Sequence, residues 1–234
     1  MPFSHTVKNK NPKYFCIDKR MENYSIKFYS LNTKIYFTSA NTNQTTMRKL
    51  KLQMQMTING YVAGPNGKND WMTWNPDDEL IAFMNSLIDS SDTLLLGRKT
   101  ADSIINYWEN ALDKNPDTPF AKKIVDILKV VFTKTLDKSP WNNTTLAKGN
   151  LAEEIANLKK QNGKDILVFG GAGFVSSLIK EGLIDEYHLI VNPTAIANGM
   201  TIFNSLDTIQ KFSPIQSKLY PGGKTVLSYK PKND

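Results

Sequence analysis

Twice along this chain an apolar, strand-like run ends in glycine and passes directly into a helical pattern. The first is Leu94-Leu95-Leu96-Gly97-Arg98-Lys99-Thr100, and the second is Leu167-Val168-Phe169-Gly170-Gly171-Ala172-Gly173-Phe174-Val175. Such corners are suited to anions. The first-turn N–H groups of a helix have no partner within it, and the helix dipole adds roughly half a positive charge there. Glycine lets a phosphate come close to the backbone. At the first corner Arg98 offers a planar fork for a phosphate monoester, Lys99 a second cation and Thr100 a hydroxyl. Cations at a helix start oppose the dipole unless an anion joins them, so the pattern favours a phosphorylated ribose, hence NADPH over NADH. Three glycines within Gly170-Gly171-Ala172-Gly173 fit close approach to a pyrophosphate. The run departs from the dinucleotide fingerprint, which has a further glycine where Ser176 stands.

The elements that must hold these corners follow from periodicity. Leu50 to Thr57 alternates as a strand, and Asn59-Gly60 and Gly64-Pro65-Asn66-Gly67 are turn signals. A helix is expected to start at Asn75-Pro76, with Asp77, Asp78 and Glu79 in its first turn. Strands are expected at Asp92–Leu96, Lys129–Thr133, Asp165–Phe169 and Glu186–Val191. Helices are expected at about Arg98–Tyr107, at Leu151–Gln161 and from the second corner through Ile179. Phe212–Tyr220 and Thr225–Tyr229 flank Pro221-Gly222-Gly223, a hairpin signal. This alternation describes an α/β domain with a mostly parallel sheet and an antiparallel tail.

Composition narrows the function classes. A 40% hydrophobic fraction supports a real core in 234 residues. The net charge of +7 is scattered, without a zinc-finger or RNA-binding pattern, so it argues for steering anionic small molecules and not for nucleic acid. Cys16 is the only cysteine and His5 and His188 the only histidines, which excludes intrachain disulfides and thiolate or His-rich metal sites. A cytoplasmic protein is expected: no apolar run approaches the ~20 residues of a membrane helix, and no signal-like segment opens the chain. Residues 1–46, polar and ending in Asn41-Thr42-Asn43-Gln44-Thr45-Thr46, are expected as a weakly ordered extension before a domain at 47–230. Met47 as the true start, or a strand or hairpin within Tyr24–Phe37, are alternatives.

Thr57-Ile58-Asn59-Gly60-Tyr61-Val62-Ala63-Gly64-Pro65-Asn66-Gly67, Leu96-Gly97-Arg98-Lys99-Thr100, Phe169-Gly170-Gly171-Ala172-Gly173 and Gly182-Leu183-Ile184-Asp185-Glu186 occur in that order. Together they resemble the dihydrofolate-reductase-like superfamily, in the branch of the riboflavin-pathway reductase domain and its stand-alone bacterial relatives. The resemblance spans about Met47 to Tyr229. It implies a three-layer α/β fold with a mostly parallel central sheet and a C-terminal antiparallel hairpin, working as an NADPH-dependent reductase and a homodimer. It also implies that Gly97, Arg98, Lys99 and Thr100 hold the adenosine phosphate. Gly170, Gly171, Ala172 and Gly173, flanked by Phe169, Phe174 and Val175, would hold the pyrophosphate. Thr133 and Lys134 would lie on the adenine side, and Ala63 would border the nicotinamide.

Asn59 stands where the family has aspartate, which puts a carboxylate's role there in doubt and leaves Asn59 a candidate substrate contact. Asp70 and Trp71 are further candidates, although Trp71 and Trp74 serve equally to close the core. Asp78 and Glu79 are the candidate proton donors near the family's acidic helix position, with helix capping as the competing role. The zinc-binding H-x-E and P-C-x-x-C residues of a deaminase half are absent from the chain. The expected activity is hydride transfer to a C=N or C=O of a ribosylated pyrimidine or pterin-like substrate. The competing reading is a nucleotide-binding paralogue without turnover.

Overall fold

The computed structural model describes residues 47–232. The expected extension at 1–46, with its Tyr24–Phe37 segment, lies outside the described residues. In chain order the elements are β1 (Leu50–Thr57), α1 (Asp78–Asp89), β2 (Ser91–Gly97), α2 (Arg98–Lys114), α3 (Pro119–Asp126), β3 (Leu128–Phe132), β4 (Thr144–Ala147), α4 (Leu151–Lys160), β5 (Asp165–Val168), α5 (Ala172–Lys180), β6 (Glu186–Asn192), β7 (Phe212–Leu219) and β8 (Thr225–Pro231). The strands form one 8-stranded sheet in the order β4-β3-β2-β5-β1-β6-β8-β7. Pairings from β4 across to β6 are parallel, and β6–β8 and β8–β7 are antiparallel. This is the α/β architecture expected, including the C-terminal hairpin.

Alternation along the buried strands sends side chains to two helical layers. Leu50, Leu52, Met54, Met56, Leu95 and Val168 share a core with Ile155 of α4 and with Val175, Leu178 and Ile179 of α5. On the other face Leu94, Leu96, Val131 and Leu167 pack with α1, α2 and α3 through Leu87, Ile88, Ala101, Ile105 and Ile124. The N-terminal half of α1, through Leu80 and Met84, covers Ile190 and Val226. Each such side chain contributes about 1.5–3 kcal/mol on burial, so the layers are held by many comparable contacts.

Several boundaries differ from expectation. α1 begins at Asp78, because Asp77 serves as its N-cap and accepts from the Leu80 N–H. α2 runs on to Lys114, past the expected end at Tyr107. Nothing in Trp108–Lys114 breaks a helix, and the stop comes at Asn115, whose position before Pro116 disfavours helical backbone. α3 opens on Pro119, a good first helical residue, and β4 is a short edge strand. Neither was expected.

Charged groups pair with one another at the edge where the parallel strands begin. Buried Arg48 binds the Asp92 carboxylate, the Thr93 hydroxyl at 2.7 Å and the Lys164 carbonyl. Lys49–Glu186 and Lys51–Asp165 each close at 2.7 Å, and Lys159 meets Asp185. Among the described residues no helix is long and apolar enough to cross a membrane.

His188 of β6 is buried, with its Nδ1 2.9 Å from the Ser228 hydroxyl of β8. Burial, outweighing the attraction of Glu186, pushes its pKa below the ordinary 6.5. The unfolded chain therefore takes up this proton first as pH falls, and the stability that neutral His188 supplies above pH 6.5 is lost below it. Denaturant midpoints at about pH 7.5 and about pH 5.5 should fall for the native chain by more than for His188→Gln. Equal falls in the two proteins contradict the assignment.

Candidate functional site

Strand pairing brings the two glycine corners to one edge. β2 and β5 are parallel neighbours with Leu95 opposite Val168, so Gly97 and Gly170 follow side by side where the strands end. Gly97 is the N-cap of α2 and Gly171 that of α5, both with extended backbone and no side-chain cap. By contrast α1 is capped by Asp77 and α4 by Asn150. Neither α2 nor α5 has an acidic residue in its first turn. The first-turn amides of these two helices are left for an external acceptor.

The corners touch. The Gly171 N–H donates to the Thr100 hydroxyl at 2.8 Å, bridging from α5 to the first turn of α2. A Cβ on Gly171 would stand 2.5 Å from that oxygen, and one on Gly97 would stand 2.9 Å from the Phe174 Cβ. Both glycines are thus demanded by each other's corner. Gly170 has φ of +139°, open to glycine and strained for other residues, and its peptide bond to Gly171 is cis. Gly173 is different: a Cβ there meets nothing within 4 Å, so its bare backbone faces open space.

The flanking residues take distinct places. The Thr100 hydroxyl, expected on a phosphate, accepts from the opposing corner and keeps its own hydrogen to donate. Arg98 turns along its own helix to the Asp102 carboxylate and stands 5.7 Å from the Trp141 ring centroid, while its Nε is buried without a hydrogen-bond partner among the described residues. Lys99 is exposed and has no ion pair among the described residues. Phe169 packs into the α1–α3 side and Phe174 lies 5.2 Å from Phe132. Ala172 opens α5. Val175 is fully buried and its N–H returns to the Gly171 carbonyl, so it supports the corner from the core. Phe132 pairs with Gly97 in register, which places Thr133 beside the first corner. The Thr133 hydroxyl accepts from the N–H groups of Thr135 and Leu136 at 3.1 and 3.2 Å, and Lys134 is exposed.

The loop leaving β1 is clamped to the segment after β6. Ala63 and Met200 form a bridge, with Val62 N–H to Met200 O and Met200 N–H to Ala63 O both at 2.8 Å. Asn59 donates from Nδ2 to the Ile196 carbonyl at 2.8 Å, a bond that a carboxylate cannot make, and accepts from the Thr57 hydroxyl. The Asn59 amide thus ties this loop to the segment after β6. Asp70 and Trp74 are exposed, so Trp74 closes no core; Trp71 is partly buried, with no hydrogen-bond partner for its Nε1 among the described residues.

Two of the acids at the start of α1 are tied into the fold. Hydrogen bonds first from Gly222 and then from Leu80 hold the Asp77 carboxyl below the usual range. Glu79 is exposed and meets Lys218 at 2.6 Å, and Asp78 is exposed. Capping and hairpin docking account for Asp77 and Glu79.

Thr100→Val should leave the Gly171 N–H without its acceptor and lower stability by about 1–3 kcal/mol, read as a denaturant midpoint. A midpoint equal to that of the native chain would mean the bridge contributes nothing.

The geometry has parallels among known proteins. The Bacillus subtilis (strain 168) protein YyaP, itself uncharacterised, is 29% identical over 80% of this chain and 97% of its own. A second protein of that organism, YwjB, is 27% identical over 68% of this chain and 84% of its own. A solved structure from Shewanella sp. PV-4, named for riboflavin biosynthesis, superposes with a TM-score of 0.60 at 26% identity, over 80% of this chain and 100% of that one. The Thermotoga maritima diaminohydroxyphosphoribosylaminopyrimidine deaminase/5-amino-6-(5-phosphoribosylamino)uracil reductase shares the fold, with a TM-score of 0.56 at 14% identity over 80% of this chain and 58% of that one. Residues 48–223 match the model of the RibD C-terminal domain, and the chain belongs to that family.

Proposed function

We propose that this riboflavin-reductase-like chain is an NADPH-dependent reductase acting on a C=N or C=O of a small heterocyclic substrate, a ribosylated pyrimidine or pterin-like compound. The observation that carries the reading is the union of two uncapped, glycine-started helices at one sheet edge by the Thr100–Gly171 bond. A single extended ligand with phosphates at two places suits that pair. The amides of Gly173 and its neighbours suit the pyrophosphate, and Lys99, with Arg98 rotated off Asp102, suits a ribose phosphate. NADPH, when bound, supplies the hydride.

The protein's own part is to bind, orient and exclude water. Opposite charges pair where the parallel strands begin, whereas Lys99 and Lys134, near the ends of β2 and β3, have no ion pair among the described residues. That asymmetry steers an anionic cofactor and substrate toward the corners. The names of the Shewanella and Thermotoga proteins point toward the riboflavin pathway and a phosphoribosylaminouracil substrate. A cytoplasmic homodimer completes the proposal. The exposure of Asp78 and Glu79 favours one competing reading, cofactor binding without turnover, in which no side chain delivers the proton.

Nicotinamide fluorescence on titration with NADPH should saturate. Lys99→Ala should weaken NADPH binding by about threefold to tenfold and leave NADH little changed, as for one lost charge-assisted contact. Absence of saturation up to about millimolar cofactor contradicts the reading. Saturation without NADPH consumption in the presence of 5-amino-6-(5-phosphoribosylamino)uracil and dihydropterins would favour the paralogue.

A further inference from the structure

β1 carries polar side chains on one face in the middle of the sheet. Leu50, Leu52, Met54 and Met56 face α4 and α5, so by alternation Gln53, Gln55 and Thr57 face the α1 side. Their register partners on β6 are His188, Ile190 and Asn192. Three side-chain atoms on this face are buried with no hydrogen-bond partner among the described residues: Gln53 Oε1, Gln55 Nε2 and His188 Nε2. A buried polar group without a partner destabilises the fold, which makes each a feature that asks for a function.

The orientation of Gln55 is set by its neighbour. Asn192 Nδ2 donates to the main-chain carbonyls of Met56 and Ile190 at 3.3 and 3.2 Å, and to Gln55 Oε1 at 2.8 Å. Two carbonyls around one atom identify it as nitrogen, so the Gln55 atom it meets is oxygen. The Gln55 NH2 is therefore turned away from Asn192 as an unanswered donor.

Its position borders the corners. The β1–β5 ladder ends at Leu52–Val168, whereas β1 stays paired with β6 as far as Thr57–Asn192. Past Leu52, then, β1 has no strand beside it on the side where β5 has turned off into Gly170–Gly171. Met54 lies against that turn, since a Cβ on Gly170 would meet its Cε at 3.3 Å, and Gln55 is the next residue. The charged and titratable neighbours on this face have counterparts within the protein, Lys51 in Asp165, Glu186 in Lys49 and His188 Nε2 in Glu186 at 3.5 Å, which leaves the two glutamine amides as the open positions.

We infer that Gln55 is a specificity-determining residue that donates from Nε2 to a ring carbonyl of a planar cyclic-imide substrate of the uracil type, with Asn192 as its positioning residue. This rests on the reductase reading. Gln53, two residues back on the same face, carries a second amide whose oxygen can be presented to the ring N–H that adjoins such a carbonyl. A fixed donor at Gln55 favours a ring carbonyl and disfavours the amino group that an aminopyrimidine carries in its place.

The test uses the full chain saturated with NADP+, with uridine 5′-monophosphate and cytidine 5′-monophosphate as calorimetric probes. The native protein should bind the uridine nucleotide about tenfold more tightly, the worth of a hydrogen-bond mismatch of about 1.4 kcal/mol. Gln55→Glu, which replaces the donor by an acceptor, should reverse the order. Asn192→Ala, which frees the Gln55 amide to turn, should bring the ratio toward one, an outcome that loss of packing alone does not give. NADP+ affinity, measured on each variant, should not change. An unchanged probe ratio in Gln55→Glu, or no probe binding by a protein that binds NADP+, overturns the assignment and leaves the reductase reading standing. Failure of the native chain to bind NADP+ overturns both.

Discussion

The bond from the Gly171 N–H to the Thr100 hydroxyl, with the contact of Gly97 against Phe174, is the constraint on which the site depends. Two helices start at neighbouring strand ends, and each start is packed so closely on the other that a methyl group in either place collides. Neither start then has room for a side-chain cap of its own. The same closeness that joins the corners keeps their amides bare. The core beneath makes the arrangement affordable: Leu94 to Leu96 and Ile166 to Val168 are fully buried, and they hold β2 and β5 in register.

Around that junction the chain closes three further sides. The loop after β1 is tied to the segment after β6 through Asn59 and Ala63. The start of α1 is tied to the β7–β8 hairpin, where Asp77 accepts from Gly222, Glu79 meets Lys218 and buried Lys224 donates to Asn75. On the third side β1 extends past the end of its β5 ladder, carrying Gln55. An α/β sheet binds ligands beyond the carboxyl ends of its strands, and these ties define that edge here.

Both corners were legible in the sequence because a buried strand, a glycine and a helix start are local signals. So were the long strands, α4, α5 and the hairpin at Pro221-Gly222-Gly223. α3 and β4 are short, and their apolar residues are too few to show a period. The extent of α2 was hidden by its polar outer face. At the site, the types of residue were readable and their partners were not. Thr100 and Arg98 sit where the pattern put them, yet one answers the other corner and the other lies on Asp102. Those are choices of the folded surface. Gln55 gave no signal of its own, since a glutamine in an alternating strand reads as a solvent-facing position. Only its hydrogen bond from Asn192 reveals a buried donor.

Amide hydrogen exchange, followed with and without NADPH, bears most directly on whether the two corners serve one ligand. The account predicts that the amides of Arg98–Thr100 and of Ala172–Phe174 gain protection together, along the same saturation curve. Protection confined to one corner, or two curves with different midpoints, would contradict it.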